Sequence, residues 1–233
     1  MVEALSSGSS GSVLAIDADP NSCLAEALGI RDAQTIVGTC EEISRQMDKI
    51  PFGMTKDRFI EMRVQEAVSE EDSFDLLVMG RPEGPGCYCY VNNLLRGLIE
   101  KITKSYDFVV IDNAAGMEHI SRRTTGDISK LVLVSDYSVM GVRACGRIYA
   151  LAKELGIKIG GAYLVMNKAK GKVSELDKEI QDTGLVSAGE VPYDDKVASW
   201  SVLGRPIFEL ECPKVKREIG DILERITGRY VWL

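Results

Sequence analysis

The chain has 233 residues, 45% of them hydrophobic, which is enough to bury one sizeable core without requiring a second domain. Its 28 Lys and Arg face 35 Asp and Glu, a formal net charge of -7, and no basic run offsets that balance, which argues against a nucleic-acid partner. Apolar runs such as Leu131 to Val134 fall far short of the roughly 18 residues that a membrane-spanning helix needs.

In chain order, Met1 to Leu5 lacks the basic start and long apolar stretch of a secretory leader, so a cytoplasmic protein without membrane contact is expected. Ser6 to Ser12 is the one low-complexity segment. Val13 to Ile16 reads as a first strand, ending in Asp17-Ala18-Asp19-Pro20-Asn21, with a helix from about Cys23 to Leu28. Residues 31–72 are more polar and broken at Pro51-Phe52-Gly53; they read as an insertion or mobile excursion. Further apolar runs follow at Phe74 to Met79, Phe108 to Ile111, Leu131 to Val134 and Ala162 to Met166, with another strand ending at Val191-Pro192. Val215, Ile219, Ile222 and Ile226 lie at helical spacing within a final packing helix, Lys214 to Ile226. Short strands alternating with helices predict one α/β domain over residues 1–233, its mostly parallel sheet covered on both faces. Ligands of such sheets sit at the carboxyl ends of the strands. That rule singles out Asp17 and Asp19, Gly80 and Arg81, Asp112, Asp136, and Asn167 with Lys168.

Asp112 ends an apolar strand, and Gly116 follows it by four residues. In nucleotide hydrolases a carboxylate there holds Mg²⁺ through water, and the Gly lets a backbone N–H approach the γ-phosphate. The same pattern also fits a plain strand-to-loop junction. Strand alternation, if it persists, puts Asp17 and Asp19 on one side, within reach of one water or metal site. Equally, the two acids could cap the following helix. Asn167-Lys168 and Val191-Pro192-Tyr193-Asp194 could form the rim of a base pocket, an Asn amide being able both to donate and to accept.

Cys87-Tyr88-Cys89 follows Gly80-Arg81-Pro82-Glu83-Gly84-Pro85-Gly86, whose glycines and prolines forbid regular structure and frame the pair in a loop. Six cysteines in a chain of this length do not form a secreted disulfide framework, so a close reduced pair points to metal or redox use. Two thiolates are half of a four-ligand set, and His119 offers no obvious help. Two copies meeting on a two-fold axis would complete it, for tetrahedral Zn²⁺ or planar Ni²⁺. Cys23, Cys40, Cys145 and Cys212 stand alone and read as ordinary core or surface residues.

In order along the chain, Asp17-Ala18-Asp19-Pro20-Asn21, Met79 to Cys89 and Asp112-Asn113-Ala114-Ala115-Gly116-Met117-Glu118-His119 resemble the CooC-type nickel-insertion ATPases of carbon monoxide dehydrogenase. That family lies within the MinD-like and nitrogenase-iron-protein-like P-loop class, and the resemblance runs from Val13 nearly to the end. It implies a homodimer closed by ATP, a metal ion held between paired Cys loops, and carbon monoxide dehydrogenase apo-enzyme as client. Residue by residue, it implies that Asp19, with Asp17, positions the attacking water, that Asp112 is the Mg²⁺-side carboxylate and that Gly116 senses the γ-phosphate. Asn167 would recognise adenine, with Lys168, Pro192 and Tyr193 nearby, and Cys87 and Cys89 would hold Ni²⁺ or Zn²⁺.

Members of that family open with a strand and a glycine-rich loop ending in Gly-Lys-Thr, which this sequence does not contain. Val2-Glu3-Ala4-Leu5 looks like the end of the helix that comes after the loop. The expectation is a first strand missing from the sheet and a triphosphate short of ligands. Two other readings stand beside the ATPase: a dimeric iron–sulfur electron-transfer protein, and a degenerate homologue that binds metal without hydrolysis. A second cysteine just beyond Gly116, as the iron–sulfur design needs, is absent from Met117 to Thr125. A membrane- or DNA-acting partition ATPase finds no basic C-terminal face.

Overall fold

Val13–Asp17, strand β1, is buried at every position because it has a parallel strand on either side. The computed structural model describes residues 1–8, 11–45, 50–81, 97, 101–116, 128–171 and 174–228. Contacts divide the chain into two compact units. The N-terminal unit comprises Val2–Ala114 and Gly204–Glu209, and the C-terminal unit holds Ala115–Leu203 and Leu210–Leu233.

In the N-terminal unit, helix α1 (Val2–Gly8) precedes β1, and α2 (Cys23–Ala27), α3 (Ile36–Arg45) and α4 (Lys56–Glu66) come after it. Strands β2 (Ser69–Glu70), β3 (Asp75–Val78) and β4 (Phe108–Asp112) complete a sheet of order β2-β3-β1-β4. Register pairs Asp17 with Val78 on one side and with Asp112 on the other, so three strand ends finish level.

The polar stretch 31–72 is part of this core, not an excursion from it. Ile36, Cys40 and Ile43 of α3 and Phe59, Ile60 and Val64 of α4 pack on Leu14, Ile16 and Leu77 in one cluster. Only one stripe of each helix is apolar, and one stripe suffices to bury it. Gly204–Glu209 returns to the same unit, where the Phe208 ring stacks on Phe74 with centroids 5.4 Å apart.

In the C-terminal unit, β5 (Leu131–Asp136), α5 (Val139–Glu154), β6 (Ala162–Ala169), α6 (Ser174–Thr183) and β7 (Val186–Pro192) alternate. The parallel sheet has the order β5-β6-β7. Leu164 and Met166 of β6 meet Val142, Cys145 and Leu176 on one face. Val165 meets Ile222 and Ile226 of the last helix, α8 (Pro213–Thr227), on the other. Both faces are thus covered, as the apolar strands require. Between β7 and α8 lies α7 (Asp195–Val202), capped by the Asp194 carboxylate through the N–H groups of Lys196 and Val197. Among the described residues, β4 pairs only with β1 and β5 only with β6. No described helix is long and apolar enough to cross a membrane.

Candidate functional site

The chain turns at the end of β1 because the Asp17 carboxylate bonds two backbone amides further along. Its Oδ1 accepts the N–H of Asp19 at 3.1 Å, and its Oδ2 accepts the N–H of Leu24, in the first turn of α2, at 2.9 Å. Strand geometry therefore stops at Asp17, and alternation does not carry Asp19 to the same side. Asp17 is fully buried and Asp19 half-buried. Capping and site-building are not exclusive here, since Asp17 caps α2 while shaping the turn that carries Asp19.

Asp19 in turn accepts the backbone N–H of Asn21 at 2.8 Å and its side-chain amide at 3.0 Å, both at Oδ1. The adjoining backbone is pinned from both sides. Ala18 N–H donates to the Asp112 carbonyl, and Met79 N–H to the Asp17 carbonyl, each at 2.8 Å. Burial and, after it, the charges of Asp17 and Asp19 hold the Asp112 carboxyl above the usual carboxylate range. Asp112 and Asp19 offer hard oxygen donors in a region of excess negative charge, so the pair fits Mg²⁺ completed by water and phosphate oxygens. Among the described residues, no three His, Cys, Asp or Glu side chains form a metal cage on their own.

Gly80, directly after β3, has φ +77° and lies against Thr35; a Cβ there would come within 2.7 Å of the Thr35 Cβ. Glycine is required on both counts at the point where the chain leaves the sheet toward Cys87 and Cys89. Cys87, Tyr88, Cys89 and His119 lie outside the described residues.

The C-terminal unit brings the remaining sequence-marked residues together on its own strand ends. Asp136, Asn167 and Val191 are register neighbours across β5, β6 and β7, and an irregularity after Asn167 pairs Ala169 with Pro192. Tyr193 N–H then donates to the Ala169 carbonyl at 3.0 Å. Asn167 Oδ1 accepts the N–H of Lys168, whose φ is +56°, so the amide NH₂ remains a donor for a ligand. Gly116 belongs to this unit, with φ +105° and nothing among the described residues within 4 Å of where a Cβ would stand.

Two further groups here were not singled out by the sequence. Lys170 Nζ lies 4.2 Å from the centroid of the Tyr193 ring, and the Tyr137 hydroxyl donates to the Gly171 carbonyl. A lysine two residues beyond Lys168 was the signal for the first, but nothing in the local sequence tells that it meets an aromatic ring.

These strand ends can be set beside known proteins. The chain is 40% identical over 233 residues to an ATP-binding protein of Methanocaldococcus jannaschii, covering 98% of this chain and 92% of that one. The ParA family ATPase of Chlorobium tepidum TLS has the same fold, with a TM-score of 0.68 at 20% identity over 97% of this chain and 89% of the other. The chain belongs to the same family of ATP-binding proteins as that Methanocaldococcus jannaschii relative, and its fold is the one seen in MinD and ParA ATPases. It is also 29% identical over 232 residues to the carbon monoxide dehydrogenase accessory protein CooC of Rhodospirillum rubrum, covering 92% of this chain and 86% of CooC. The septum site-determining protein MinD of Pyrococcus horikoshii OT3, complexed with Mg-ADP, superposes with a TM-score of 0.63 at 18% identity, over 97% and 87% of the two chains. No protein-family model matches the chain.

Proposed function

We propose that this ATP-binding protein is a cytoplasmic, ATP-driven metal-insertion protein of the CooC kind within the MinD/ParA class, which loads nickel into carbon monoxide dehydrogenase apo-enzyme. The carrying observation is a level row of strand ends bearing Asp17, the Asp19 turn and Asp112, in a chain that also carries Cys87-Tyr88-Cys89. The likeness to CooC supports the reading. ATP is the fuel, as the names of its relatives suggest.

Asp112 and Asp19 would hold Mg²⁺ through water, and the cation would supply charge neutralisation at the transferring phosphate. Asp19, on its bonded turn, orients a water for attack on the γ-phosphate. The likeness to CooC assigns Gly116 a γ-phosphate-sensing role, which a residue free of a side chain suits. Asn167 offers its amide to the base, while Lys168, Pro192 and Tyr193 border the same strand ends. Cys87 and Cys89 are half of a cargo site that a second copy of the chain completes, giving four thiolates for Ni²⁺ or Zn²⁺.

Elemental analysis of the purified protein tests this directly. About one nickel or zinc per two chains is expected, and it should be lost in Cys87→Ser and in Cys89→Ser. Unchanged stoichiometry in both variants removes the metal-insertion reading, and iron–sulfur absorption after anaerobic reconstitution would favour an electron-transfer role instead.

A further inference from the structure

Asp17 is fully buried, and neither of its carboxylate oxygens is open to solvent. Both bond to backbone. Oδ1 takes the N–H of Asp19 and Oδ2 that of Leu24, closing the segment between them into a loop around Asp19. Upstream, the same residue is clamped by its neighbours, with its carbonyl accepting Met79 N–H and Ala18 N–H bonded to Asp112. Within the loop, Ser22 donates its N–H to the Asp19 carbonyl at 2.9 Å and takes φ +53°. The rigid strand end and the turn are thus joined through one side chain.

We propose that Asp17 is not a water- or metal-contacting group but a positioning residue, which acts on phosphate chemistry only by fixing the place of Asp19. This rests on the ATPase reading of the site. A group that cannot meet solvent cannot activate a water, whereas a buried carboxylate bonded to two amides holds a loop in one geometry. Displacing a reacting group by about 1 Å can cost on the order of 100-fold in rate. Asp17→Asn keeps the shape but turns an NH₂ toward one of the two amides, so that bond is lost.

The test is a double-mutant cycle in steady-state ATP turnover, on the protein purified as its own cells make it, with whatever residues are translated ahead of Met1. Asp17→Asn should lower kcat by roughly 10- to 100-fold and leave KM for ATP nearly unchanged. Asp19→Asn should lower kcat at least as much. Adding Asp17→Asn to Asp19→Asn should then cost nothing further, because the positioned group is already gone. A merely structural role predicts losses that multiply, since each variant would reduce the active fraction on its own. Multiplied losses, or a KM that rises in step, overturn the proposal. Should Asp17→Asn fail to fold, Asp17→Ser, a shorter acceptor able to bond one amide, carries the same cycle. If the wild-type protein turns over no ATP, the ATPase reading falls and takes this inference with it; turnover with multiplied losses overturns the inference alone.

Discussion

Asp112 ends its strand beside two other carboxylates, and its environment favours the protonated form. Below the ordinary Asp range the group is protonated in folded and unfolded chains alike and contributes nothing. As pH rises past that range the unfolded chain releases its proton first, so a penalty on the folded state builds up and stays at full size once the folded carboxyl has ionised too. With divalent cations chelated, Asp112→Asn should therefore make the protein more resistant to urea than its parent at neutral pH, with the gap closing toward acid. A gap of equal size at both ends of the range contradicts the charge-crowding account. That Asp17 and Asp112 both end strands was legible, since each follows a plain apolar run. Which acid is buried was not. Strand alternation treats Asp17 and Asp19 alike, and only the Asp17 bond to Asp19 N–H shows that the chain has already turned. Pro20-Asn21 carried the warning, as a turn pair placed directly after Asp19.

Apolar runs located β1, β3, β4, β5 and β6 because each carries an unbroken apolar stretch, although only β1, β3 and β6 are largely buried. Strand β7, Val186–Pro192, was delimited only at its end, since Ser187 and Glu190 interrupt its apolar residues and Val186 is exposed. The final helix was read almost to its bounds from one clear stripe. Residues 31–72 misled for the opposite reason, as charge dominates the composition while burial depends on a few positions of α3 and α4. The contrast can be measured within that stretch. Ile60, buried in the shared cluster, should cost about 2–5 kcal/mol on Ile60→Ala. Phe52, at the tip of the connecting turn and fully exposed at 109%, should stay within about 0.5 kcal/mol on Phe52→Ala. Urea denaturation of the two variants decides it; equal losses would mean that the turn, not the cluster, anchors the helices.

For the molecule as a whole, the proposed cargo site requires two chains, and the other cysteines provide the background against which this can be read. Cys40 is buried, and burial pushes its thiol up to about 11. Cys145 is buried and raised in the same direction, first by burial, and Cys212 is buried as well. The reactive species of a thiol is its thiolate, so Cys40 and Cys145 should react slowly for two reasons at once. Cys23 alone among these four is exposed. In Cys23→Ser protein, the thiols that a disulfide reagent consumes quickly under native conditions should accordingly be Cys87 and Cys89. If the pair is half of a two-fold site, about half an equivalent of Ni²⁺ or Zn²⁺ per chain should shield both thiols, because each ion serves four sulfurs. Shielding that needs a full equivalent per chain would place a separate ion on every subunit and rule out the shared site. Shielding that fails altogether would leave the cysteine pair without a metal role, even in a working ATPase.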